Sequence, residues 1–230
     1  DIEDKFKKKG IQNVIPIGAP FLYLADDFNE KIDERGNVLI FPPHSNWEEN
    51  KKSGFTEVYK FIEIIKKDFS GPYTVCLFYQ DISLDSGLAK IYKSQGIEVT
   101  TCGNRPNPYF LNKFIKMVKE HKNVVVGELT SASLYSIYLN KFTRFYRVNK
   151  ISRTYFQEVV EDEYEFYPQF KDLIDEKVLF ENKKKLVEDI LGVKFKKKKE
   201  DLAEILGWNN SYKKYMAKLV YNSKKILNIY

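Results

Sequence analysis

The sequence predicts an α/β domain built on a doubly wound parallel sheet. Short runs rich in Val and Ile alternate with longer segments whose apolar residues recur every three or four positions. Several of the short runs are apolar throughout, as expected for strands that are buried on both faces. Strands that alternate with amphipathic helices pair in parallel and carry helices on both faces of the sheet.

The alternation begins with a strand at Val38–Phe41 and an amphipathic helix at Thr56–Lys67. Ahead of it, Ile11–Leu24 is apolar but interrupted by Pro and Gly, which predicts a short strand and a packed turn, not a helix. Gly36-Asn37 is expected to form a turn. The later strands are predicted at Tyr73–Tyr79, Ile97–Thr101, from Val124 and at Phe142–Val148, and the later helices at Leu84–Gln95, from Asn107 to about His121 and from Ser131. His121, among charged neighbours, is expected at the surface.

The composition changes beyond about Lys150, where residues 155–167 are acidic and aromatic and the following segments predict short helices. We therefore divide the chain into residues 1–30, a remnant of or link to an N-terminal domain, residues 31–150, the α/β domain, and residues 151–230, a helical C-terminal extension. The first residue is Asp1 and not Met, which is compatible with a missing upstream portion.

The net charge indicates the class of binding partner, and the cysteine content indicates the cellular compartment. Lys and Arg number 38 against 32 Asp and Glu, so the net charge of +6 favours acidic partners such as nucleotides, anionic lipids or nucleic acid. The two cysteines indicate a reducing compartment without a disulfide framework. No apolar run has membrane-spanning length and no signal peptide is recognisable, so a cytoplasmic location is expected.

Polar residues follow the predicted strands. They are His44 and Ser45, Asp81, Gly103 and Asn104, and the segment from Glu128 to Ser133. Because ligands of open α/β sheets bind beyond the carboxyl ends of the strands, these residues are predicted to gather at one edge of the sheet.

The junction at 124–133 has the pattern of a strand followed by a capped helix. Thr130, Ser131 and Ser133 offer hydroxyl groups where the helix should begin, and such residues are good N-caps. The unpaired N–H groups and the dipole of a first helical turn suit an anionic group. A capped helix without a ligand has the same pattern.

Each candidate also has a structural explanation. His44 has the chemistry to donate to a phosphate or to assist a leaving group, but it could also be a hydrogen-bonded turn residue. Asp81 and Glu128 are acid/base or hydroxyl-binding candidates and equally candidates for helix caps. Gly103 allows a ligand to approach the backbone or simply makes a turn. The dinucleotide and phosphate-loop fingerprints, metal-binding Cys/His spacing and the G-x-S-x-G elbow are absent from the sequence.

Four segments carry a family resemblance. They are Val38–Ser45 with Phe-Pro-Pro-His-Ser, Tyr73–Asp81, Gly96–Gly103 and Gly127–Tyr135 with Thr-Ser-Ala-Ser. They resemble the nucleotide-binding, Rossmann-like half of GT-B glycosyltransferases of bacterial surface-polysaccharide clusters. The His at a strand end and the Ser/Thr group at a helix start are similar to the CMP-sugar site of sialyltransferases and Kdo transferases.

This resemblance implies a glycosyltransferase that moves a sugar, such as sialic acid or Kdo, from a CMP-linked donor to a bacterial capsule or lipopolysaccharide glycan. It implies that the His and the Ser/Thr group hold the phosphate, here His44, Ser45, Thr130, Ser131 and Ser133. From their positions after the strands we add Gly103, Asn104 and Glu128 as residues that line the nucleotide pocket, and His44 and Asp81 as the candidate catalytic residues. No cofactor is expected, and no metal is needed, because the helix N-terminus and His44 can offset the charge of the leaving group. The sequence departs from the family pattern at Asn104, where a His is usual, and at Ser45, where a Pro is usual.

Two other functions remain open. The Thr-Ser-Ala-Ser segment is also similar to the donor site of glycerophosphotransferases that use CDP-glycerol. A non-catalytic domain of polysaccharide assembly would instead recruit a partner, or the inner face of the plasma membrane, through the basic runs. Nucleic acid is not an expected partner, because the aromatic residues occupy core-like positions without interleaved Lys or Arg.

Overall fold

The computed structural model describes residues 6–12, 14–34, 36–43, 55–83, 87–146 and 170–208. The chain divides into two compact units, one comprising residues 1–27 and 188–230 and the other residues 28–187. The predicted acidic segment 155–167 and the predicted terminal helix at 211–229 lie outside the described residues.

The larger unit contains a five-stranded sheet. Its strands are β1 (Gly36–Phe41), β2 (Tyr73–Cys76), β3 (Glu98–Thr100), β4 (His121–Val126) and β5 (Phe142–Phe145). Their order is β3-β2-β1-β4-β5, and every neighbouring pair is parallel. The predicted α/β class and parallel sheet are confirmed, and the arrangement is compatible with a Rossmann-like fold.

The helices are numbered in chain order. They are α1 (Pro20–Asp27), α2 (Thr56–Asp68), α3 (Tyr79–Ser83), α4 (Leu88–Ser94), α5 (Phe110–Lys119), α6 (Ser131–Tyr138), α7 (Phe170–Ile174), α8 (Phe180–Leu191) and α9 (Lys199–Ile205), with a 3₁₀ turn at Val193–Phe195. No helix within the described ranges is long and apolar enough to span a membrane.

Helices cover both faces of the sheet. Alternate residues of a strand point to opposite sides, so a strand can pack against helices on both faces. On one face, Val38 and Ile40 of β1 are fully buried against α2 and α4, where Phe61 and Tyr92 are each only 1% exposed. On the other face, the ring of Phe41 lies 5.5 Å from the ring of Phe114 in α5. The central strand β1 is therefore buried from both sides, as its apolar run predicts, whereas the first residues of the edge strands β3 and β5 are exposed.

In the smaller unit, contacts join segments that are distant in sequence. The Tyr23 hydroxyl of α1 donates to the carbonyl of Ile17 at 2.7 Å and accepts the backbone N–H of Lys197 at 2.9 Å. Lys196 pairs with Asp26, so part of the predicted basic run at 196–199 is engaged in an ion pair.

The prediction of a short strand and a packed turn, and not a helix, at Ile11–Leu24 was wrong. Pro20 begins helix α1, because Pro lacks only an N–H that the first turn leaves unpaired. Phe21 and Leu22 are buried on this helix, and the described residues from 14 to 19 form no strand. Gly36-Asn37, expected to be a turn, opens β1 instead, where Gly36 is paired with His121.

Other features also differ from the sequence prediction. Strand β2 ends at Cys76, and Tyr79 already belongs to helix α3. Helix α5 begins at Phe110, after a turn in which the Asn107 side chain accepts the N–H of Tyr109 at 2.8 Å. His121 was predicted at the surface, but it is 5% exposed and opens β4, with Nδ1 2.8 Å from the carbonyl oxygen of Met117.

Candidate functional site

The centre of the sheet contains a point where the strand order reverses. Strands β1 and β4 are neighbours, with Phe41 opposite Val126, so they end at the same level. From β1 the chain continues to β2 on one side, and from β4 it continues to β5 on the other side. In open α/β sheets a ligand crevice forms beyond the strand ends at such a switch point.

Gly127 and Pro43 lie against each other at this point. A Cβ atom placed on Gly127 would be 2.2 Å from Cδ and 2.6 Å from the backbone nitrogen of Pro43. The N–H of Gly127 donates to the carbonyl of Phe41 at 2.9 Å, which extends the β1–β4 pairing by one residue. Only glycine fits here without a shift of the Pro43 backbone. The sequence contained this signal, a glycine after a buried strand, but not the identity of its neighbour.

Helix α6 begins at Ser131, and its N-cap is Thr130, one of the three hydroxyl residues predicted at the start of this helix. Thr130 has an extended backbone, and the Ser133 hydroxyl accepts its N–H at 3.1 Å and donates to its carbonyl at 2.7 Å. Ser133 is 0% exposed. Its hydroxyl is therefore committed to capping α6 and is not presented to the edge of the sheet.

Ser131 is the exposed member of the predicted hydroxyl group. It is the first residue of α6, and Thr130 and Glu128 beside it are partly exposed. The first N–H groups of an α-helix have no partner within the helix and carry the positive end of its dipole. This end of α6 is thus suited to an anionic group close to the switch point.

Beside the switch point, the rings of Phe41, Phe114 and Tyr135 form a row of contacts, called the aromatic wall below. The Phe114 ring lies 5.5 Å from the Phe41 ring and 6.0 Å from the Tyr135 ring of α6. Burial raises the pKa of the Tyr135 hydroxyl, which keeps it protonated at neutral pH. Sequence reasoning missed this wall, because the contact depends on which strands are neighbours.

Asp81 lies beyond β2, one strand away from the switch point. It belongs to the short helix α3 and is partly buried, and its N–H donates to the carbonyl of Phe78 at 3.0 Å. Its carboxylate lies near Tyr92 of α4, whose pKa is raised mainly by burial and further by the charge of Asp81. The structure therefore connects Asp81 to the α3–α4 region.

Gly103 and Asn104 lie beyond β3, two strands from the switch point. Gly103 has a φ of +84°, a backbone conformation that favours glycine, and its N–H donates to Thr101 Oγ1 at 3.1 Å. Asn104 is exposed. Next to them, the Arg105 guanidinium carbon lies 5.7 Å from the centre of the Phe78 ring, a cation–π contact that links the chain after β3 to the chain after β2.

The predicted site residues thus fall into two groups. Glu128, Thr130 and Ser131 follow β4 directly, whereas Asp81, Gly103 and Asn104 follow β2 and β3. His44 and Ser45 lie outside the described residues. Among the residues that the structure describes, no group of three or more His, Cys, Asp or Glu side chains could hold a metal ion.

No protein-family model, curated protein or solved structure matches this chain. The geometry at the carboxyl edge of the sheet is therefore the basis for the functional proposal below.

Proposed function

We propose that the protein binds the phosphate of a nucleotide at the N-terminus of α6 and acts as a metal-independent, GT-B-type glycosyltransferase with a CMP-linked sugar donor. One observation carries the proposal: the switch point between β1 and β4 is followed by the N-terminus of a capped helix, whose first residue, Ser131, is exposed. Open α/β sheets bind nucleotides at this position.

The phosphate would meet the N–H groups of α6 and the hydroxyl of Ser131. Because Ser133 is fully buried and closes the cap, we leave it out of the phosphate site and give that role to Thr130 and Ser131. The absence of a side chain at Gly127 leaves room for close packing at the strand ends. The aromatic wall formed by Phe41, Phe114 and Tyr135 would border the site on one side.

The proposed reaction has a simple electrostatic requirement. An acceptor hydroxyl attacks the anomeric carbon of the sugar, and the nucleotide phosphate leaves with additional negative charge. The N-terminus of α6 would stabilise this charge without a metal. By its resemblance to CMP-sugar enzymes, His44, which follows Pro43 in the sequence, would hold or protonate the leaving phosphate, and Ser45 would assist it.

The remaining predicted residues have subordinate roles in this proposal. Glu128, adjoining α6, would accept hydrogen bonds from the ribose or the base, while Gly103 and Asn104 would line the outer part of the pocket. Asp81 remains the proposed second acid/base residue. The acceptor would be a surface glycan or glycolipid, reached at the inner face of the membrane.

Calorimetry with CMP, CDP, UDP and GDP tests the proposal directly. Cytidine nucleotides should bind selectively, and Ser131→Asp should weaken that binding at least about tenfold, because a carboxylate would face the phosphate at close range. The new Asp is compatible with the first turn of a helix, so α6 should remain folded. The matched control is Ser70→Asp, which adds the same charge at an exposed serine before β2, at the opposite edge of the sheet.

An absence of binding by all four nucleotides would contradict the proposal and favour a non-catalytic domain. Equal weakening by Ser131→Asp and Ser70→Asp would mean that net charge, and not the end of α6, determines affinity. Turnover assays would then compare a CMP-sugar with CDP-glycerol. Activity with CDP-glycerol alone would reassign the protein as a glycerophosphotransferase.

A further inference from the structure

The two cysteines of the chain lie together at the carboxyl edge of the sheet. We propose that Cys76 and Cys102 are a dithiol pair that hydroperoxides oxidise to an intramolecular disulfide. Both are free thiols, and their sulfur atoms are 3.8 Å apart. The chain has no other cysteine, so this juxtaposition uses all of its thiols. The proposal is independent of nucleotide binding.

The strand pairing holds the two residues in place. Cys76 is the last residue of β2 and lies opposite Thr100 of β3, and Cys102 follows two residues later. The N–H of Leu77 donates to the carbonyl of Thr100 at 2.9 Å, so the pairing continues to the level of the cysteines. A disulfide has an S–S bond of about 2.05 Å, so the sulfurs must approach by roughly 1.7 Å. Rotation of the two side chains can supply a displacement of this size.

The surroundings assign different roles to the two sulfurs. Cys76 is partly exposed, and hydrogen bonds from the thiol and the backbone N–H of Cys102 lower its pKa. Cys102 is 4% exposed, and its hydrogen bond to Cys76 and its burial raise its pKa. A stabilised and accessible thiolate is the nucleophile toward peroxides. Cys76 is thus the attacking sulfur and Cys102 the resolving one.

The chemistry is a two-electron oxidation in two steps. The Cys76 thiolate attacks one oxygen of the hydroperoxide, the O–O bond breaks, and the leaving oxygen takes up a proton to give water or an alcohol. The Cys102 sulfur then attacks the sulfur of the Cys76 sulfenic acid. The S–O bond breaks, and the hydroxide leaves as water with the proton from Cys102. Two thiols are oxidised to one disulfide, and the peroxide is reduced.

The test uses the folded full chain, first reduced and then exposed to hydrogen peroxide. The wild-type protein should lose both titratable thiols together and lose the mass of two hydrogen atoms, without forming dimers. Cys102→Ser should stop at a sulfenic acid that dimedone captures on residue 76. Cys76→Ser should retain its remaining thiol at least about tenfold longer than the wild-type protein, because Cys102 is buried. Circular dichroism verifies that each variant is folded.

Two outcomes would overturn the inference. One is a wild-type protein that gains oxygen atoms instead of losing two hydrogens, since its sulfurs would then be oxidised separately. The other is a Cys76→Ser variant that reacts as fast as Cys102→Ser, since the two thiols would then have no distinct roles. If a serine variant does not fold, the intact mass of the peroxide-treated wild-type protein still decides between one disulfide and separate oxidation.

Discussion

Gly127 and Pro43 meet where β4 and β1 end, with no space between them for a Cβ atom. The contact joins the two strands that flank the switch point of the sheet, and it lies three residues before the N-cap of α6. The position of the proposed phosphate site is therefore coupled to the packing of one glycine against one proline.

Replacing Gly127 by Ala should destabilise the protein. A new Cβ atom would be 2.6 Å from the backbone nitrogen of Pro43, so the chain after β1 must shift. Overpacking of this kind costs about 1–3 kcal/mol of unfolding free energy, which urea denaturation can measure.

A double variant provides the control for this prediction. In Gly127→Ala with Pro43→Ala, the two closest atoms, Cδ and Cγ of the proline, are removed. The loss of unfolding free energy in the double variant should then be smaller than the sum of the losses in the two single variants. Additive losses would show that the Pro43 ring is not the obstacle.

Substitution of Ser133 should lower the stability of the protein, whereas substitution of Ser131 should weaken nucleotide binding. Ser133→Ala removes a buried hydroxyl that bonds both the N–H and the carbonyl of Thr130, so it should cost about 1 kcal/mol. Ser131→Ala changes an exposed residue and should alter stability by less than about 0.5 kcal/mol. Only Ser131→Ala should weaken nucleotide binding at a constant folded fraction. A stronger destabilisation by Ser131→Ala would reverse these assignments.

The ion pair between Glu176 and Arg144 should make a pH-dependent contribution to the free energy of unfolding. The Arg144 Nε donates to the Glu176 carboxylate at 2.8 Å, and this hydrogen bond lowers the pKa of Glu176 below its ordinary value of 4.5. A carboxylate with a lowered folded-state pKa contributes stability above its unfolded-state pKa, and that stability is lost as pH falls through the folded-state pKa.

Glu176→Gln should therefore lower the free energy of unfolding by about 0.5 kcal/mol at neutral pH. The difference should almost vanish at pH values below the folded-state pKa of Glu176. The Glu176 side chain is 61% exposed, so added salt should also reduce the difference. Urea midpoints of both proteins across this pH range provide the measurement. A constant difference at all pH values would contradict the ion-pair explanation.

Gly36 and His121 form a second tight contact, at the start of β1 and β4. A Cβ atom on Gly36 would be 2.2 Å from His121 Cδ2, so Gly36→Ala should cost about 1–3 kcal/mol. His121→Ala removes the ring, and in that background Gly36→Ala should be nearly neutral. A double-mutant cycle should therefore give a coupling energy of about 1–3 kcal/mol. A coupling near zero would show that the ring moves away without cost.

Much of the larger unit could be predicted from local sequence. The apolar strand at Val38–Phe41 and the stripe of Val58, Phe61 and Ile65 on α2 are confirmed, because burial on a strand or helix face leaves a periodic pattern. The predicted Ser/Thr cap at the start of α6 is also confirmed, with Thr130 as the N-cap, since capping depends on residues within one helical turn.

The failures have two physical causes. His121 looked like a surface residue from its charged neighbours, but strand pairing places its ring beside Gly36. Pro20 looked like a helix breaker, although a proline at the first helical position is tolerated. Contact with a distant segment decided the burial of His121, and position within the helix decided the role of Pro20.

The sequence by itself determined the α/β class, the parallel sheet and the capped start of α6, because these depend on periodicity and on neighbours within a few residues. Only the tertiary structure decided that β1 lies beside β4, that Ser133 is buried while Ser131 is exposed, and that Cys76 meets Cys102. Each of these relationships joins residues through strand order or side-chain packing. Local sequence patterns do not specify such contacts, since the free energy that selects them comes from burial against distant parts of the chain.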